Sequence, residues 1–237
     1  GSGHTTEEVV VAAVGRAKRA IPPKGGLIGL DIGPLGKMIS PLGPLSFDEA
    51  VTLFSQQISA GVTVGVDLIA IETMMDLQEA KAALRAAKNL CRLPVMVTMT
   101  FEANGRSFTG CDAVNMVLTL EAAGADVIGV NCSVGPAQMK KVVDTIAQWT
   151  SLPIAVKPNA GLPDENGRYT LDFEDLRSKI DKNTRLLLLC NPQNPGGMVW
   201  TQNELEKLAE ICLENNIIVI SDEIHSDLVF TGNRHIP

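Results

Sequence analysis

At 237 residues the chain can bury a sizeable core, as one large domain or two small ones. Its 27 acidic against 20 basic residues give a net charge of −7, which excludes the basic face that nucleic-acid phosphates demand. It is 45% hydrophobic, yet no uninterrupted apolar run reaches the roughly 18–20 residues that span a bilayer, and no signal-peptide pattern is present; the expectation is a cytoplasmic protein engaging neither membrane nor nucleic acid.

The opening GSGH (residues 1–4) reads as a vector scar, so His4 carries no functional expectation. A helix is predicted over about Glu7–Ala20, with the basic cluster Arg16-Ala17-Lys18-Arg19 as a solvated face. Apolar runs then alternate with amphipathic stretches. Strands are predicted at Gly26–Ile32, Val66–Glu72, Pro94–Thr100, Asp126–Cys132 and Pro153–Lys157, with helical periodicity over Phe47–Ala60, Leu77–Lys88, Ala113–Ala123 and Ala137–Thr150. The rhythm continues with a helix at Phe173–Ile180, a strand at Arg185–Cys190, a helix at Gln202–Asn215 and a strand at Ile217–Asp222. Ser46 before Glu49 and Thr201 before Glu204 are capping-box pairs that fix two helix starts.

Strand–helix units in series define an α/β protein. Right-handed crossovers between successive neighbours place every helix on one face, and a sheet covered that way curls. The expected architecture is therefore a barrel-like sheet of about seven parallel strands, one short of eight and incompletely closed; an open doubly wound sheet is the alternative. An open edge offers a pairing surface, so a homodimer through it is expected. Five cysteines without paired spacing indicate reduced thiols.

Five motifs in order carry a specific resemblance over residues 5–163: LDIGPLGKMISPLGPLSFDEA, VDLIAIETMMDLQEAKAAL, VMVTMTFEANGRSFTGCD, GADVIGVNCSVGP and LPIAVKPNAGLP. Together they resemble the homocysteine-binding barrel domain of cobalamin-dependent methionine synthase and related homocysteine S-methyltransferases, from its second helix through its seventh strand. The resemblance implies a zinc ion held by cysteine thiolates that keeps a substrate thiol nucleophilic. On that pattern Cys132 is the first zinc ligand, while Glu72 and Asn131 belong to the homocysteine-binding end. The GGCCG motif that supplies the family's other two ligands has no counterpart here, and neither does its DGAMGT-like loop. Cys190, at the end of the following strand, and Cys111 are the replacement thiols that a residual zinc site would need.

From Asp164 the sequence changes character. NPQNPGG, a helix and then VISDEIH, within residues 164–237, resemble the fold-type I pyridoxal-phosphate (PLP) enzymes, nearest the aminotransferase-like cystathionine β-lyases. The resemblance implies that Asn194 reaches the phenolic oxygen of the cofactor, that Asp222 pairs with its pyridine nitrogen, and that His225 stands where relatives often carry a tyrosine. It places the Schiff-base lysine beyond Pro237. The expectation is an engineered chimera of two enzyme fragments, joined within Gly161–Leu176, with no complete active site and no cofactor. Its alternatives are a residual noncovalent PLP site and a zinc–homocysteine half-site.

Overall fold

A computed structural model describes residues 3–21, 25–159, 169–194 and 196–237. The chain divides into two compact units, Gly1–Gly161 and Leu162–Pro237. Much of the expected junction, residues 160–168, lies outside the described residues.

The first unit opens with α1 (Thr6–Ala20), whose N-cap Thr5 forms a full capping box with Glu8. Then β1 (Gly29–Ile32), α2 (Phe47–Thr63), β2 (Leu68–Met74), α3 (Leu77–Leu90), β3 (Val95–Met99), α4 (Ala113–Ala122), β4 (Val127–Asn131), α5 (Pro136–Trp149) and β5 (Ile154–Lys157) follow in alternation. Ser46 and Glu49 close the second capping box, while Asp76 and Asp112 cap α3 and α4 through their carboxylates. All five strands are parallel and stand in sequence order, β1-β2-β3-β4-β5.

The strand pairing sorts side chains onto two faces. Ile69, Ile71, Val95, Val97, Ile128 and Val130 share one face and are wholly or almost wholly buried in a core with Phe54 and Ile58 of α2, Leu84 of α3, Met116 and Leu120 of α4 and Ile146 of α5. The alternate positions, Asp31, Ala70, Thr98, Gly129, Asn131, Ala155 and Lys157, share the other face, and most of them are small or polar. Gly129 is fixed by its neighbour: a Cβ there would overlap the carbonyl oxygen of Ala155 on β5.

The second unit contains α6 (Phe173–Lys179), β6 (Leu186–Cys190), α7 (Gln202–Glu214) and β7 (Ile218–Asp222). β6 and β7 form their own parallel two-stranded sheet, joined through α7. Its core is small: Leu208 and Cys212 of α7 with Ile217, against partly buried Phe173, Leu176, Ile180, Leu187 and Leu189.

All seven expected strands are present, but as sheets of five and two rather than one run of seven. Among the described residues no ladder joins β5 to β6. The α/β class and the parallel sheet stand. A strand's length and apolarity say that it enters a sheet, not which partner its backbone meets.

Candidate functional site

In the first unit the polar face converges at the C-terminal ends of the strands. Glu72 sits near the end of β2, where the pairing with β3 shifts between Ile71 and Met74 and Thr73 adopts a left-handed φ of 61°. This bulge turns the Thr73 N–H toward β4, where it donates to Asn131 Oδ1 at 3.0 Å. Asn131 Oδ1 also accepts from the Thr98 hydroxyl of β3 at 2.8 Å, and Asn131 Nδ2 donates to Thr73 Oγ1 at 2.7 Å. One buried carboxamide thus ties β2, β3 and β4 together, and each of its polar atoms is satisfied.

Asn131 Nδ2 also contacts Cys132 Sγ at 3.3 Å. Cys132 is half-buried, and both it and Ser133 are left-handed, with φ of 58° and 64°. Two such residues in succession cost on the order of 1–3 kcal/mol each. The turn is held by Cys132 N–H donating to the Lys157 carbonyl at 2.9 Å and Val134 N–H to the Cys132 carbonyl at 2.8 Å. Ionic partners surround this network. Lys157 Nζ pairs with Glu72 Oε1, the lysine side chain half exposed and the glutamate mostly buried. Burial, then the Glu72 charge, raise the Asp31 carboxyl above its ordinary range, against the opposing pull of Lys157.

Glu72, Asn131 and Cys132 therefore meet at one sheet end. Sequence reasoning missed Asp31, Lys157 and the two threonines as members of this cluster. The signal available was parity: Asp31, Thr98 and Lys157 occupy the same pleat positions as Asn131 along their strands.

These residues do not fit a thiolate-bound zinc. Among the described residues no group of three or more His, Cys, Asp or Glu side chains could hold a metal. Cys111, offered from sequence as a replacement ligand, has its thiol pushed up to about 11 by burial and by the Asp112 and Asp76 charges, the reverse of what ligation needs. Cys190 belongs to the second unit.

In the second unit Cys190 pairs with Asp222, so Asn194 and Asp222 lie at the same sheet end. Each is held by its own loop. Asp222 Oδ1 accepts the Ile224 N–H at 3.1 Å, and the Asn194 N–H donates to Cys190 Sγ at 3.3 Å. The Gln193–Gly197 turn closes on itself: Gly196 N–H donates to Gln193 Oε1 and Gly197 N–H to the Gln193 carbonyl, both at 2.7 Å. Asn194 and Asp222 are exposed and His225 is half-buried. The lysines described here stand away from that sheet end: Lys179 pairs with Asp175, Lys182 precedes β6, and Lys207 of α7 lies over the Phe173 ring. The residues present do not fit a covalently held PLP.

A parallel α/β sheet with a polar cluster at the C-terminal ends of its strands is the layout of (β/α)-type enzymes. The sequence profile of the homocysteine S-methyltransferase family matches residues 1–211, and the chain belongs to that family. The match runs past β5 into α7, where the strand–helix rhythm of the first unit continues. Homocysteine methyltransferase MmuM from Escherichia coli, in its apo form, shares the fold with a TM-score of 0.59 at 20% identity, over 68% of this chain and 64% of that one.

The chain is also 49% identical over 77 residues, 32% of its length, to cystathionine beta-lyase PatB of Bacillus subtilis (strain 168), and covers 20% of that protein. Over 100 residues, 40% of its length, it is 38% identical to an aspartate aminotransferase of Bacillus sp. (strain YM-2), covering 26% of it. It spans about a fifth to a quarter of the length of these two curated relatives. One chain thus carries sequence of two enzyme kinds.

Proposed function

We propose that the protein is an engineered fold chimera that turns over neither parental reaction. Its first unit corresponds to an incomplete (β/α)8 barrel of the homocysteine S-methyltransferase type. Its second corresponds to a strand–helix–strand fragment of a PLP enzyme. In this reading Glu72, Asn131 and Cys132 are remnants of an amino-thiol site, and Asn194, Asp222 and His225 are remnants of a cofactor site.

The observation that carries this reading is the closure of the strand-end polar groups on one another. Glu72 is taken by Lys157, and Asn131 is saturated by Thr73, Thr98 and Cys132. Cys132 has no cluster of ligands around it among the described residues. A zinc-activated thiolate needs three protein ligands and an open position.

Native mass spectrometry of the purified chain, run beside assays of homocysteine methylation and cystathionine cleavage, tests this. The expected result is the bare polypeptide mass and rates at background. A stoichiometric zinc or PLP adduct, or turnover abolished by Cys132→Ser or Asp222→Ala, would sink the reading.

A further inference from the structure

Ala80, Ala82, Ala83, Ala86 and Ala87 of α3 are wholly buried, because small side chains let α2 and α4 close on the flanks of the helix. Gln78, Lys81, Arg85 and Lys88 stay at or near the surface as one stripe at helical spacing. The acids of α3 point elsewhere: Glu79 is buried against Leu35, and Asp76 caps the helix start.

A cavity of about 670 Å³ runs along this stripe, within the size range of small-molecule sites. It is also lined by Ile39, by Phe47 at the start of α2 and by Ala123 just past α4. Phe47 and Gln78 open their helices whereas Lys88 and Ala123 stand at helix ends, so Phe47 and Lys88 mark opposite ends of the cavity. Three cations line it and, among the described residues, no carboxylate does, in a chain whose net charge is −7. Lys88 is already engaged, pairing with Asp126 at 2.6 Å. Lys81 meets only the Gln78 carboxamide, at 3.2 Å, and Arg85 has no ionic partner among the described residues.

We propose that this cavity binds an organic diphosphate of the nucleoside type. Lys81 and Arg85 stand one turn apart, about 6 Å along the helix axis, so each can meet one of two linked phosphoryl groups. A single carboxylate would leave one of them unmatched. The planar Arg85 guanidinium offers paired N–H donors to phosphate oxygens, and the Lys81 ammonium adds a point charge. Asp126 neutralises Lys88, so a third phosphoryl group gains little there. Partly buried Phe47 and buried Ile39 supply apolar surface for the organic portion. The cavity lies in the helix layer, apart from the polar groups at the strand ends, and its occupancy is independent of whether those are remnants.

Calorimetric titration of the full chain with ADP at low ionic strength, repeated in excess pyrophosphate, tests the proposal. The expected result is one saturable site that pyrophosphate blocks. Arg85→Glu and Lys81→Glu should each raise the dissociation constant about tenfold or more. Lys141→Glu, the same charge change on the exposed side of α5, should leave it unchanged. All three positions lie at or near the surface, and a thermal melt of each variant checks its fold. The absence of saturable binding overturns the proposal, as does binding that pyrophosphate leaves untouched. Equal weakening by Lys141→Glu also overturns it, because ADP would then follow net charge and not this cavity.

Discussion

Asn131 and Glu79 show how differently two buried polar groups are settled. Asn131 finds partners on the two strands β2 and β3 and is neutral, so its burial is balanced. Glu79, on the first turn of α3, is 5% exposed and accepts the Leu35 N–H at 2.7 Å. Burial raises its carboxyl above the ordinary glutamate range, and the Asp76 charge adds to this. The folded state therefore holds the proton more tightly than the unfolded one. That costs nothing below the unfolded glutamate value of about 4.3, and destabilises increasingly as pH rises through the folded value. Glu79→Gln keeps an acceptor for Leu35 and removes the charge. Urea melts should show the variant more stable than the parent at pH 7 and indistinguishable at pH 4; an equal gain at both values would contradict this account. Glu72, Asn131 and Cys132 were legible because a family motif marks them. Asp31, Thr73, Thr98 and Lys157 were not, because their meaning lies in contacts across strands, which linear spacing does not encode.

At the scale of elements the amino-acid pattern matches the structure: among the described residues every helix and strand stands where its periodicity puts it, with ends within a few residues, because apolar periodicity and caps act locally. The capping boxes at Ser46 and Thr201 form as the residue types demand. Pairing is a different kind of information. The bulge at Glu72–Thr73 and the separation of β6–β7 from the five-stranded sheet depend on backbone partners far along the chain. Gly129 reports that level directly, since its missing side chain lets β5 close on β4. Gly129→Ala should lower stability by about 3 kcal/mol or more, with loss of protection in β5 before β2. A melt shifted by less than about 1 kcal/mol would mean that the two strands separate at little cost.

For the whole molecule, the two units differ in how much they bury. The first has a continuous core through β1–β5 and α1–α5, whereas the second rests on a small cluster of Leu208, Cys212 and Ile217 with a few half-buried residues, and on Trp200 and Ile211 outside it. Native-state hydrogen exchange should therefore show the amides of β6 and β7 opening at lower free energy than those of β2, β3 and β4. Uniform protection across both sheets would refute the difference in burial as the governing term. The two faces of the five-stranded sheet also separate two kinds of heritable change. Substitutions on the helix side are filtered by folding, whereas Asp31, Glu72 and Lys157 stand where side chains can be exchanged with little effect on the core. A library confined to those three positions explores chemistry while the scaffold stays constant, and that is how one backbone comes to host unrelated reactions.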